Sequence, residues 1–224
     1  MKFKKGRDRS DRTLQEILVL SELKHPSVIR LVGWFENEEN IYLVLSYVPG
    51  RDLSKFFRDK PPTRDLAASI ILQIVEGIKY CHSRGVIHRD MKLENILIKD
   101  DMTIKLTDFG LCAIKTHRDE YFNDEVGTVR YTAPELLSGE GYDESVDVWG
   151  IGVILFTLLT GQYPFDGSRK SNIFKRIVKK HIDYSQYDLS DEEINLLKRL
   201  LCKNPRYRIN INDIERHAWF KTHE

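Results

Sequence analysis

Two short polar clusters joined by two strand-like runs constrain this chain more than any other part of it. The first cluster is His88-Arg89-Asp90-Met91-Lys92-Leu93-Glu94-Asn95, which sets a carboxylate, an ammonium and a carboxamide close together between Asp90 and Asn95. An apolar run follows, Ile96-Leu97-Ile98, then a polar turn, Lys99-Asp100-Asp101. A second run, Thr103-Ile104-Lys105-Leu106-Thr107, ends in Asp108-Phe109-Gly110. Two such runs around a polar turn read as a hairpin, so both clusters stand at its open end and point the same way. Their chemistry then converges. Asp90 can orient a hydroxyl and accept its proton, and Lys92 can neutralise a moving phosphoryl group. Asn95 and Asp108, one in each cluster, offer oxygen ligands suited to Mg²⁺. A surface hairpin with ordinary charged turns accounts for either cluster alone; both together, with Lys92 and Asn95 in place, point to chemistry.

The rest of the chain has the periodicities of a mixed fold. A helix is expected from residue 10 or 11 to 24, with Leu14, Ile17, Leu18, Leu20, Ser21 and Leu23 as its apolar stripe and His25-Pro26 as its end. Residues 28–35 and 41–47 read as strands joined by a polar turn. A short helix over 53–58 is broken by Lys60-Pro61-Pro62, and a long one over 64–83 has apolar residues at three-and-four spacing. The apolar run over 148–159 is too short to cross a bilayer and reads as a buried core helix. Gly150 and Gly152 lie inside that helix, so they let helices pack closely and cradle no phosphate. Amphipathic helices are expected near 171–180, 190–202 and 211–217.

Composition narrows the partners. With 35 basic against 34 acidic residues, no field gathers nucleic acid or a membrane surface, and neither is expected as a partner. Three cysteines without metal-ligand spacing imply reduced thiols and an intracellular setting, cytoplasmic or nuclear. The first residues show no apolar segment of a secretory signal.

The two clusters resemble the catalytic loop and magnesium loop of eukaryotic protein kinases, with Lys92 two positions after Asp90 as in the serine/threonine type. The resemblance runs over nearly the whole chain. Glu16, in Glu-Ile-x-x-Leu-x-x-Leu-x-His-Pro, is similar to the helix glutamate that pairs with a strand lysine holding the ATP phosphates; Lys2, in Met1-Lys2-Phe3, is the candidate lysine. Ser46-Tyr47-Val48-Pro49-Gly50 is similar to the hinge. The resemblance implies Leu45 as gatekeeper, the backbone of Ser46 and Val48 at the adenine edge, Leu97 as the floor, and Asp52 near the ribose and the substrate peptide. His88 is implied to support Phe109. The segment from Asp108 to Glu135 ends in Ala133-Pro134-Glu135 and has the length of an activation segment. Gly127-Thr128-x-x-Tyr131 resembles the substrate-docking loop, with Thr128 bonded to Asp90 and Lys92. Asp124-Glu125 stand where many kinases carry a phosphorylatable residue. Either a carboxylate there answers Arg89 without phosphorylation, or a polar loop has simply collected acids; Thr116 and Tyr121 remain further candidates for modification. Asp147 is implied to cap the catalytic-loop backbone, and Arg208 to pair with Glu135.

The fold implied is α+β and bilobal, a small strand-bearing lobe over residues 1–48 and a mainly helical lobe over 49–224. No Gly-x-Gly-x-x-Gly stands in residues 1–40, so an N-terminally truncated small lobe is expected, without the phosphate-covering loop and its strands. The function implied is transfer of the γ-phosphate of ATP, with Mg²⁺, to Ser or Thr of protein substrates. The alternative is a weak or inactive kinase-like binding module. Tyr80-Cys81-His82-Ser83, Tyr142-Asp143-Glu144 and Glu215-Arg216-His217-Ala218-Trp219-Phe220 look like the Aurora, polo and calmodulin-dependent branches. Asp52 and Glu94 stand where such kinases read basic residues upstream of the target hydroxyl.

Overall fold

The computed structural model describes residues 2–4, 7–58, 61–117, 120–124 and 126–221, with side chains from residue 11 onward. Its N-terminal part is a small antiparallel sheet and one helix: β1 (Lys2–Lys4), α1 (Arg7–Glu22), β2 (Leu31–Glu36) and β3 (Asn40–Leu45), with the strands in the order β1-β3-β2. The β2–β3 turn is built by Asn37, whose Oδ1 accepts the N–H groups of Glu39 (3.0 Å) and Asn40 (2.8 Å). β2 starts later than expected because Val28 and Ile29 are used elsewhere. Ile29 N–H donates to Leu106 O (2.8 Å) and Leu106 N–H donates to Ser27 O (2.7 Å), which ties this segment to the hairpin beyond.

α1 buries only part of its expected stripe. Leu14 and Leu18, expected on its apolar stripe, are 41% and 64% exposed, whereas Glu16, Ile17, Leu20 and Leu23 are buried. The helix carries apolar residues on adjoining faces, and the sheet selects one of them. A glutamate therefore enters the core.

The C-terminal part begins with β4 (Gly50–Asp52), α2 (Leu53–Phe56) and α3 (Arg64–Ser83), the last capped by Thr63 Oγ1 accepting Leu66 N–H (3.3 Å). Short strands follow: β5 (Val86–Ile87), β6 (Ile96–Lys99), β7 (Ile104–Leu106) and β8 (Ala113–Ile114). They form a sheet in the order β4-β6-β7 and a two-stranded pair, β5-β8. The remaining elements are α4 (Pro134–Leu137), α5 (Ser145–Thr160), α6 (Lys170–Lys179), α7 (Asp191–Leu200), α8 (Ile211–Ile214) and α9 (Ala218–Lys221).

α3 and α5 form the centre of the core. Ile70, Ile71, Ile74 and Ile78 on α3, and Ile151, Val153, Ile154 and Leu155 on α5, are wholly buried. Gly150 and Gly152 permit the close approaches made there. A Cβ on Gly150 would stand 2.6 Å from Met91 Cβ, and one on Gly152 would stand 2.8 Å from Leu200 Cβ. α5 thus lies directly beneath the loop that carries Asp90. A second anchor joins distant parts: Arg208 donates to both carboxylate oxygens of Glu135 (2.6 and 2.9 Å) with both side chains buried. Among the described residues, no helix is long and apolar enough to cross a membrane, and the three cysteines are free.

Candidate active site

The β6–β7 hairpin sets the site, as its alternation dictates. Ile96 and Ile98 are buried, and Leu97 between them faces the other way, half-buried. In register with Leu97 is Asp52 on β4, so these two expected site residues are neighbours. Asp52 caps α2, accepting Lys55 N–H (2.9 Å) and pairing with the Lys55 ammonium (2.9 Å).

At the open end of the hairpin Asp90 is buried and receives three donors. Lys92 Nζ and Asn95 Nδ2 (3.0 Å) reach Oδ2, and Thr128 Oγ1 reaches Oδ1 (3.0 Å). Lys92 Nζ also donates to Thr128 Oγ1 (3.2 Å). With its amide nitrogen on Asp90, Asn95 keeps Oδ1 for a ligand. Thr107 N–H donates to Asn95 O (2.9 Å), which sets the following residue, Asp108, beside Asn95. Asp108 and Asn95 are both hard-oxygen donors, and two protein ligands leave the other positions of a Mg²⁺ shell to phosphate oxygens and water; the donor set fits that ion.

Asp108 has φ 64° and Arg89 has φ 65°, the left-handed region that side chains with a Cβ normally avoid. Such backbone persists only where its surroundings over-determine it. For Arg89 those surroundings are Asp147 on α5. Its carboxylate accepts Arg89 N–H (2.8 Å), His88 N–H (2.9 Å) and His82 Nε2 (2.8 Å). Burial pushes this carboxyl up, but the bond and charge of His82, with His88 behind them, outweigh burial and hold it below the usual range. His88 packs on Phe109, ring centroids 4.8 Å apart, and its Nε2 lies 3.2 Å from Thr107 O.

Glu16 approaches from the other side. Both its oxygens are buried without a hydrogen-bond partner among the described residues. A Cβ on Gly110 would stand 3.3 Å from Asp108 Oδ1 and 3.6 Å from Glu16 Oε2, so the two carboxylates flank one glycine. Burial first, and the Asp108 charge second, raise the Glu16 carboxyl to about 7. Lys2 lies on β1 opposite Tyr42 of β3, and its side chain is outside the described residues. At the hinge, Ser46 N–H donates to Arg30 O (2.8 Å), so of its backbone only the carbonyl is left for an adenine edge. Val48 is half-buried.

The Arg89 guanidinium is engaged through all three of its nitrogens. It donates to Leu111 O (2.7 Å), Cys112 O (3.1 Å), Tyr142 OH (2.7 Å) and both oxygens of Asp124 (2.7 and 2.8 Å). Tyr142 OH donates in turn to Asp124 Oδ1 (2.7 Å). Burial raises the Asp124 carboxyl, but the Tyr142 bond and the Arg89 charge bring it below the ordinary value. Glu125 is outside the described residues. Sequence reasoning did not assign Tyr142 or His82 to this arrangement. Each meets its partner, Arg89 or Asp147, across a long stretch of chain, and no local pattern links them.

Comparison with known proteins gives the family of the chain. The protein kinase domain family matches residues 1–220. The chain is 36% identical over 212 residues to an Aurora kinase of Dictyostelium discoideum, covering 93% of this chain and 54% of that protein. It is 37% identical over 210 residues to an SNF1-related protein kinase catalytic subunit of Arabidopsis thaliana, covering 93% of this chain and 42% of the relative. With the serine/threonine-protein kinase PLK4 of Aedes aegypti it shares 36% over 214 residues, 95% of this chain and 28% of that one. The chain therefore spans between 28% and 54% of the length of these curated relatives. The chain belongs to the protein kinase domain family, and its relatives are serine/threonine kinases.

Proposed function

We propose that this chain transfers the γ-phosphate of ATP to Ser or Thr hydroxyls of proteins. The observation that carries the reading is the Asp90 carboxylate, buried and held by Lys92, Asn95 and Thr128 at once. Asp90 orients the incoming hydroxyl and takes its proton. Lys92 Nζ, already beside that carboxylate, meets the charge that develops on the transferred phosphoryl. Thr128 ties the substrate-docking loop to the same carboxylate, so hydroxyl and base are positioned together.

Asn95 Oδ1 and Asp108 would hold Mg²⁺, which neutralises phosphate charge when bound. The adenine lies between the hinge and Leu97, with the Ser46 carbonyl and the Val48 backbone at its edge and Asp52 near the ribose. Glu16, with Lys2, aligns the phosphates. Residues 1–48 act as the small lobe and 49–224 as the large one. Glu94, exposed next to the catalytic loop, and Asp52 favour basic residues upstream of the hydroxyl.

The test is phosphate transfer from Mg·ATP to a Ser/Thr peptide with upstream Arg, measured for this chain and for D90N. Transfer that falls by about a hundredfold or more in D90N supports the reading. Equal transfer by both rejects the role given to Asp90, and none by either rejects the reading and leaves the binding module.

A further inference from the structure

One charge run is not absorbed by the proposed chemistry. Residues 167–182 carry Arg169, Lys170, Lys175, Arg176, Lys179 and Lys180 with no acid among them, in a chain of net charge +1. All six are exposed. None forms an ion pair among the described residues, and Asp166, which lies within electrostatic reach of Arg176, is bound by Arg130 (2.7 Å). Helix stability does not ask for this pattern. Arg169 sits at the α6 N-cap without a capping bond, and the first turn holds no acid, so Arg169 and Lys170 oppose the helix dipole. At the other end, the carbonyls of Val178 and Lys180 are met by Lys203 and need no further cation.

Beside this face runs a groove of about 510 Å³. Val126, Val129, Leu136, Leu137 and Phe174 supply its apolar walls, and Lys170 and Lys175 also line it. Phe174, 37% exposed on α6, stands among those lysines. The groove reaches the proposed active site, because Gly127 forms part of its wall and a Cβ there would lie 4.0 Å from Asp90 Oδ1.

We infer that this groove and the cationic face of α6 dock an acidic protein segment with an apolar side chain between its carboxylates, a few residues from the phosphoacceptor. The inference rests on the proposed phosphotransfer for its link to the acceptor hydroxyl. A concave apolar groove inside a cationic rim suits a side chain flanked by acids. A flat cationic surface would suffice for a nucleic acid, and a lipid surface would call for protruding apolar groups.

The experiment is fluorescence anisotropy of a labelled peptide with a central Leu between Glu pairs, titrated with this chain. It binds, and K170E/K175E weakens it about tenfold or more. The same peptide with Lys for Glu does not bind, and raising salt from about 0.05 to 0.5 M loosens the complex. D90N binds the Glu peptide as the parent does, so loss of phosphotransfer and loss of docking are read separately. No binding of the Glu peptide overturns the inference, as does equal binding by K170E/K175E. A labelled oligothymidylate or a phosphatidylserine vesicle that binds more tightly than the peptide, in a K170E/K175E-sensitive way, also overturns it.

Discussion

Asp147→Asn is the substitution that most directly probes how α5 supports the catalytic loop. The carboxylate is wholly buried and accepts three donors, two from backbone N–H groups at 2.8 and 2.9 Å and one from His82 at 2.8 Å. An asparagine keeps one oxygen and replaces the other with an NH₂ group. Either His88 N–H or Arg89 N–H then faces another donor, and an unsatisfied buried N–H costs about 1–3 kcal/mol. The remaining bonds lose charge assistance, about 1 kcal/mol each. The expected loss of unfolding free energy is therefore about 3–5 kcal/mol, read from urea unfolding at neutral pH. Replacing His82 by Ala instead removes one donor and leaves the carboxylate on both backbone groups, so it costs about 1–2 kcal/mol.

The pH dependence has a fixed sign. The folded carboxyl titrates below its ordinary value of 3.8, so its stabilisation is present above that pH and is lost as pH falls through the folded value. The gap between parent and D147N closes as pH falls below about 4. Phosphotransfer should also fall in D147N at temperatures where it is folded, since Arg89 is free to leave φ 65° and Asp90 moves with it. A stability loss under about 1 kcal/mol would refute the claim that this carboxylate holds the loop.

Other substitutions test separate contacts. Glu16→Gln removes a carboxyl raised from 4.5 to about 7. A raised carboxyl contributes stability that is complete below 4.5 and lost as pH rises through about 7, so E16Q should be more stable than the parent at pH 8, by up to about 3 kcal/mol, with no difference near pH 4.5; a flat difference between thermal melts across this range excludes the buried carboxylate. Gly150→Ala drives a methyl to 2.6 Å from Met91 Cβ and should cost about 1–3 kcal/mol in denaturant unfolding while lowering turnover. An alanine variant with unchanged turnover would show that the loop tolerates displacement from beneath. Asp124→Ala leaves Arg89 with its carbonyl and Tyr142 partners, and because Asp124 is half exposed the expected loss is about 1 kcal/mol, read as a several-fold drop in kcat/KM; unchanged kinetics would make Asp124 a passive acid.

What could be read in advance divides by the reach of each interaction. Asp90, Lys92 and Asn95 lie close together in the chain because one turn must present them to one carboxylate-centred site, so their type and spacing were legible. Helix periodicity fared less well on α1. It marks a helix and the buried Ile17, Leu20 and Leu23 but adds the exposed Leu14 and Leu18, since a 3.6-residue repeat cannot say how much of a broad apolar face the sheet will cover. The start of β2 was missed for a related reason: Val28 and Ile29 pair with the strand around Leu106, far along the chain, and no local propensity announces that choice. Glu16 is marked out only by its likeness to the kinase helix, and its burial is not foreseen, because by periodicity alone a glutamate belongs outside.

The same division explains how the site is built. The groups proposed to touch substrate are carried by turns, where positive φ at Arg89 and Asp108 aims side chains that a regular element could not. That geometry costs free energy, and the offset comes from distant rigid elements. α5 supplies Asp147 to the backbone on either side of the peptide bond before Arg89, and it presents a hydrogen in place of a side chain at Gly150 so that Met91 can settle on it. Asp90 lies between these two supports, bracketed by Arg89 and Met91. A change on α5, outside any contact with ATP or peptide, therefore reaches the reacting carboxylate through a single residue on either side. Stability and turnover should fall together for such changes, whereas substitutions at Lys92 or Asp90 should remove turnover and leave the fold nearly intact.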